Sequence, residues 1–284
     1  MPVDMELVHF ATADGGILHG LHFRPRDEAS DLALVTLHGV SGTFYTGFLP
    51  PLAKELAGRG YHVMTMNTRG HDWVTRGTNE GFWGAAHENF DDCLLDVDAA
   101  LAYLSGRGYR RFVIVGHSLG GVKVVYYQGN RQRTDVLGVV SYSAPIIAFP
   151  DRLERAPDSL KTLQEAEALV EAGRGEEYIT EEDTGAVRRF TARTFLSKYG
   201  RHGKTDVRPL AAHIGGPLLA TAGGLEVDTF ATHARQLAEA AGPDRGNWHV
   251  VEGADHFYAG HLPELVELTV PWLNRVTKAP VASS

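Results

Sequence analysis

The run Arg111-Phe-Val-Ile-Val-Gly-His-Ser-Leu-Gly-Gly-Val constrains this chain more than any other stretch. Residues 112–116 are apolar, rich in β-branched side chains and closed by glycine, which predicts a buried strand. Residues 119–129 then read as a helix, so Ser118 falls on the turn between the two. Gly116-His117-Ser118-Leu119-Gly120 thus has the form Gly-x-Ser-x-Gly. A serine on so sharp a reversal sits in strained backbone, and a Cβ at either flanking position would run into neighbouring chain. The helix starting at Leu119 would aim its free N–H groups and the positive end of its dipole at negative charge forming beside Ser118. In a chain with 32 glycines the five-residue pattern alone is weak; the order strand, serine, helix gives it weight.

The same rhythm runs through the chain. Residues 6–10 and 17–24 alternate polar and apolar around Asp14-Gly15-Gly16, which predicts an antiparallel hairpin at a sheet edge. Strands are expected at 32–37, 61–66 and 136–140, with helices at 48–60 and 90–104; Leu94, Val97, Leu101 and Leu104 share one face of the second helix. Such alternation predicts a mostly parallel sheet with helices on both faces. The rhythm breaks over residues 146–216, a charged stretch with two helix-like segments at 159–172 and 186–199. It resumes with strands at 217–222 and 248–251 and helices at 229–241 and 262–276, leaving 279–284 as a tail expected to fray. Residues 1–145 and 217–284 are therefore expected to form one α/β core of eight strands, with 146–216 a helical cap inserted after the sixth.

Length and composition narrow the function classes. At 284 residues the chain suits one large α/β domain with an insertion. A formal net charge of −8 and the lack of a Lys/Arg cluster argue against nucleic acid as a partner. The first residues, Met1-Pro-Val-Asp-Met-Glu, show neither the basic nor the apolar part of a signal peptide, and no apolar run is long enough to span a membrane. A cytoplasmic protein acting on a small molecule is the expectation; the sequence carries no signal for an oligomeric state. The single cysteine, Cys93, allows no internal disulfide and is read as a buried helix residue. No His/Cys/carboxylate cluster has metal-ligand spacing and no glycine-rich phosphate loop is present, so no metal or other cofactor is expected.

A serine hydroxyl needs a base within reach, itself oriented by an acid. Of 14 histidines, His256 stands apart, because it lies just past the last strand and before the last helix. Loops after the carboxyl ends of parallel strands share one rim of the sheet with the Ser118 turn. The acid should follow the preceding strand, where Gly223-Gly-Leu-Glu226-Val-Asp228 offers two competing carboxylates. Asp255 is a weaker choice, since it adjoins His256 on the same loop. Charge developing on a carbonyl oxygen needs donors already in place. The backbone N–H of Leu119 is one and that of Val40, on the loop after residues 32–37, is the other. His38 precedes Gly39 and is expected to brace this loop.

Taken together, these residues resemble the α/β-hydrolase superfamily over nearly the whole chain: His38-Gly39, Arg69-Gly70-His71, Gly116-His-Ser118-Leu-Gly120-Gly121, Gly223-x-x-Glu226 and Gly253-Ala-Asp-His256. Spacing and cap position are similar to the esterase/lipase, monoacylglycerol-lipase-like branch. The resemblance implies the α/β-hydrolase fold and the order Ser118, acid, His256. The usual spacing of the acid loop favours Glu226, with Asp228 the alternative, although Asp is commoner at that position. After Arg69-Gly70-His71 the usual short Gly-x-Ser gives way to Asp72-Trp73 and a long insertion. His71 and Asp72 are read as structural. Serine at residue 118 sets the chain apart from dehalogenases and epoxide hydrolases, which carry Asp there.

The expected activity is a serine hydrolase that cleaves a carboxylic ester of an apolar or aromatic small molecule through an acyl-enzyme. The same machinery serves lactone, thioester, amide or carbon–carbon hydrolysis and acyl transfer, and a non-catalytic ligand-binding protein is the reading from another class. Substrate contacts are expected from Phe44, Tyr45 and Phe48, from Trp73, Phe82 and Trp83, and from Leu163, Phe190 and Phe195 in the cap. The same aromatics read equally well as core residues.

Overall fold

The computed structural model describes residues 2–26, 29–79, 81–183 and 186–278. The strands of its central sheet are numbered here in chain order: β1 (Val3–Ala11), β2 (Ile17–Pro25), β3 (Leu32–Leu37), β4 (His62–Met66), β5 (Arg111–His117), β6 (Val136–Tyr142), β7 (Leu218–Gly223) and β8 (Gly246–Val251). They form one eight-stranded sheet in the spatial order β1-β2-β4-β3-β5-β6-β7-β8. β2 runs antiparallel to both neighbours, and the pairings from β4 to β8 are parallel. β1 and β2 are the expected edge hairpin.

Every residue of β3, β4 and β7 is buried, which accounts for their nearly continuous apolar sequences: helices cover the sheet on both sides. Side chains alternate between two cores. Ala33, Val35, Ile114, Val139 and Ala220 meet α2 (Cys93–Gly106), α3 (Leu119–Arg131) and α8 (Asp228–Ala241). Leu34, Val63, Val113, Val140 and Leu219 meet α1 (Leu49–Gly58) and α9 (Leu262–Lys278). Cys93 is buried at the start of α2, and burial pushes its thiol up. Among the described residues no helix is long and apolar enough to cross a membrane. The tail at 279–284 lies outside the described residues.

The segment between β6 and β7 differs from expectation. Besides α5 (Ser159–Glu171) it contains α4 (Phe149–Arg155), α6 (Ala192–Tyr199) and the short α7 (Arg208–Ala211). Residues 186–199, expected as one helix, are a strand, Ala186–Thr191, followed by α6. That strand pairs antiparallel with Tyr178–Asp183, so the insertion is not purely helical. Pairing places Phe190 opposite Ile179, and both are buried. Thr191 then starts the helix, its hydroxyl accepting the Thr194 N–H at 3.2 Å. Pairing with the preceding strand has overridden a helical local pattern. The insertion closes over its own apolar cluster of Leu163, Ala166, Ile179, Phe190, Ala192, Phe195 and Tyr199, separate from the two cores of the sheet.

Candidate active site

Ser118 turns the chain from β5 into α3 with φ 55° and ψ −123°, a backbone region costly for a residue with a side chain. The flanking glycines are what the turn requires. A Cβ on Gly116 would lie 2.0 Å from the Gly120 carbonyl oxygen, and one on Gly120 would lie 2.3 Å from the Leu37 carbonyl oxygen. Gly39 faces Ser118 itself, where a Cβ would come within 2.9 Å of the serine Cβ. The reversal is held by the Ser118 N–H donating to the Tyr142 carbonyl at 2.9 Å.

Glu226 and His256 meet on the adjoining loops. The imidazole Nδ1 lies 2.6 Å from Glu226 Oε1. The other oxygen, Oε2, accepts the Gly223 N–H at 2.6 Å and the Ser143 hydroxyl at 2.6 Å. Tyr258 OH stands 2.8 Å from Ser143 Oγ and 2.6 Å from Thr221 Oγ1. A carboxylate only accepts, so the single serine proton is committed to Glu226 and Tyr258 donates to Ser143 in turn. One backbone N–H and one hydroxyl thus hold Glu226 Oε2, with Tyr258 and Thr221 behind Ser143. Asp228, the competing carboxylate, is exposed in the first turn of α8, where the helix dipole favours it. Asp255 is engaged by the N–H groups of Phe257 and Ala259 at 3.0 and 2.9 Å.

Two further histidines shape the site. His117 is buried, which lowers its pKa to about 3, with the neighbouring His256 adding to the effect. Its Nε2–H donates to the His256 backbone carbonyl at 2.8 Å, and the two rings lie 4.7 Å apart. The residue preceding Ser118 therefore grips the loop that carries His256. Burial, and then the charge of Lys123, lowers His38 to about 4, so it is neutral near neutral pH. Its Nε2 accepts the Thr68 N–H at 3.0 Å, which leaves Nδ1 to donate to the Gly39 carbonyl at 2.7 Å. His38 thus braces the loop that carries Val40. Below it lies a buried charge cluster: Glu88 holds Lys123 of α3 at 2.6 Å and Lys198 of α6 at 2.8 Å. Lys123 reaches on to Thr68 Oγ1 at 3.2 Å. Gly70 admits this carboxylate, since a Cβ there would overlap it at 1.9 Å.

Ser118, Glu226, His256, Val40 and Leu119 all line one cavity of about 900 Å3. Among the described residues, neither the Val40 nor the Leu119 N–H donates to a backbone carbonyl in a turn or loop. The wall is mostly apolar, from Phe48, Leu49, Ile146, Ile147, Val227 and Phe230. Phe44, Tyr45, Trp73, Trp83, Phe190 and Phe195, expected as substrate contacts, do not line it. Phe44 and Tyr45 pack on each other at 5.0 Å, and Tyr45 is exposed. Trp83 wedges the long loop against the N-terminal hairpin, close enough that a Cβ on Gly16 would lie 2.6 Å from its ring. Phe190 and Phe195 fill the core of the insertion, and Trp73 packs on Phe190 at 5.3 Å. Leu163 is in the same core, and Phe82 is exposed. An insertion with its own core consumes its aromatics there. Instead it gives the cavity Arg152, Arg155, Arg188 and Tyr199. His71 and Asp72 pair with each other at 2.7 Å and do not reach the cavity. Among the described residues no group of three or more His, Cys, Asp and Glu side chains is placed to hold a metal ion.

Sequence reasoning overlooked Ser143, Tyr258 and His117 as supports. A signal existed for each: Ser143 directly follows β6, Tyr258 follows His256 by two residues, and His117 precedes Ser118.

Comparison with known proteins follows the same lines. Solved structures with this fold include GrgF from Penicillium sp. sh18, with TM-score 0.71 and 14% identity over 97% of this chain and 99% of that one. Est1E from Butyrivibrio proteoclasticus, with ferulic acid bound, gives TM-score 0.68 and 14% identity over 96% of this chain and 100% of that one. The esterase domain of a Rhodothermus marinus protein gives TM-score 0.63 and 16% identity over 96% and 99%. Identities so low establish the fold alone, and no curated protein matches the sequence. The family model described as the alpha/beta hydrolase family matches residues 34–267 of the 284, and the chain accordingly belongs to the α/β-hydrolase family.

Proposed function

We propose that the protein is a serine hydrolase that cleaves carboxylic esters through an acyl-enzyme. The observation that carries this reading is the 2.6 Å contact between His256 Nδ1 and Glu226, on the wall of the cavity that Ser118 also lines. The carboxylate accepts the Nδ1 proton and so keeps Nε2 unprotonated, the form needed to take a proton from a serine hydroxyl. Ser118 Oγ attacks the ester carbonyl carbon while its proton passes to His256 Nε2. The tetrahedral oxyanion is met by the N–H groups of Val40 and Leu119, the latter at the positive end of α3. Collapse breaks the bond to the alcohol, which leaves with the proton from His256. Water then attacks the acyl-enzyme, gives its proton to His256 and releases the acid, and the proton returns to Ser118. Residues 146–216 serve as a cap over this reaction. The esterase domain among the structural neighbours is in keeping with an ester as the bond cleaved.

A fluorophosphonate probe tests the proposal. The wild-type protein should be labelled at Ser118, and S118A should not be labelled. Absence of labelling at Ser118 in folded protein would sink the reading. A panel of para-nitrophenyl esters beside lactone, thioester and amide substrates identifies the bond.

A further inference from the structure

We infer that the cavity takes an ester whose apolar stem ends in a carboxylate, held by Arg188 and Arg155 of the cap. The inference rests on the hydrolase reading of Ser118 and adds to it the class of substrate.

The cap arginines differ in what neutralises them. Arg174, Arg193, Arg201 and Arg208 each pair with a carboxylate. Arg152, on the cavity wall, pairs with buried Glu181 and lies over the Tyr199 ring at 4.6 Å. That pairing matters for Arg188, which stands directly opposite Glu181 across the cap hairpin. The carboxylate nearest to Arg188 in register is thus engaged by another cation. Among the described residues no carboxylate forms an ion pair with Arg188 or with Arg155. Arg155 Nη2 donates to the Ile146 carbonyl, which fixes its guanidinium beside the cavity.

Nor does the rest of the wall supply a counter-ion. Of its two carboxylates, Glu226 is engaged by His256, Ser143 and the Gly223 N–H, and Asp255 by two backbone N–H groups. Arg155 and Arg188 therefore line a mostly apolar cavity, and among the described residues no carboxylate is paired with either. A planar guanidinium in such surroundings binds a carboxylate in a two-pronged, charge-assisted pair, stronger than a neutral hydrogen bond. Ile146, Ile147, Val227 and Phe230 offer the stem its apolar wall. An uncharged ester would leave both cations unpaired.

The test compares matched pairs of substrates. One arm uses para-nitrophenyl half-esters of glutaric and adipic acid against para-nitrophenyl esters of the corresponding monoacids, which puts the charge on the acyl side. The other uses the butyryl ester of an ω-hydroxy acid against that of the matching alkanol, followed by pH-stat. In at least one arm kcat/KM should favour the anionic member by about 10-fold or more. R188Q and R155Q/R188Q should bring that ratio towards one, R188K should retain part of it, and R201Q, a cap arginine outside the cavity, should keep it. No anionic preference in either arm, with the neutral esters still turned over, would overturn this inference and leave the hydrolase reading standing. A preference that survives R155Q/R188Q would overturn it too. Failure of every ester together with failure of fluorophosphonate to label Ser118 would bring down both.

Discussion

Replacing Glu226 by glutamine tests the orientation of the base at the level of single protons. In the native site Oε2 takes two donors, the Gly223 N–H and the Ser143 hydroxyl, each at 2.6 Å. A glutamine must leave its carbonyl oxygen there, because its NH2 group would meet two donors and has no lone pair to offer. The NH2 is then forced towards His256, where Oε1 stood 2.6 Å from Nδ1. The imidazole can accept from it only by moving its own proton from Nδ1 to Nε2. In that tautomer Nε2 cannot take a proton from Ser118. The loss expected from such a wrong tautomer is about a thousand- to ten-thousand-fold in kcat, or about 4–5.5 kcal/mol of transition-state stabilisation. KM should change little, since Glu226 acts on the base. Asp228 is exposed in the first turn of α8 and touches none of these groups, so D228N should leave kcat within about two-fold and stability within about 0.5 kcal/mol. The assay is steady-state turnover of a para-nitrophenyl ester, with active sites counted by fluorophosphonate. E226Q retaining more than about a tenth of wild-type kcat, or D228N losing as much as E226Q, would refute the assignment of the acid.

Two stability predictions follow from buried charge. E88Q strips the carboxylate that pairs with both Lys123 and Lys198, whose side chains are 2% and 0% exposed, and should cost about 3–5 kcal/mol and lower Tm by about 5–10 °C; a thermal melt matching wild type would refute it. Burial lowers the folded-state pKa of His22 and His117 to about 3 and of His38 and His233 to about 4, from 6.5. Between those values the unfolded chain binds more protons, so the stability these groups confer is present above pH 6.5 and is lost as pH falls towards 3. Glu88, held at about 2 against 4.5 by its two lysines despite its burial, adds a further loss as pH falls from 4.5 towards 2. Urea midpoints should therefore drop steadily from about pH 7 to about pH 5, and a flat profile over that range would contradict the burial of these histidines.

The sequence by itself determined the sheet, its order of strands and helices, and the Ser118 turn. These rest on local physics. Fully buried strands must be apolar along their whole length, and a turn in which Gly116 and Gly120 nearly touch tolerates no Cβ, so both leave their mark in consecutive residues. His256 and the pair of candidate acids were legible for a related reason, since position after a strand fixes the rim of the sheet. What separates Glu226 from Asp228 is two residues of loop and the bond from Ser143, itself joined to Tyr258, both from other parts of the chain. Local pattern also misjudged residues 186–191, where pairing with Tyr178–Asp183 decided between helix and strand. Phe190 and Phe195 have the same chemistry in a core or on a cavity wall, and only packing assigned them to the core. The same holds for charge: Glu181, opposite Arg188 across the hairpin, pairs with Arg152 of α4, and among the described residues Arg188 forms no ion pair, a pairing that no stretch of sequence contains.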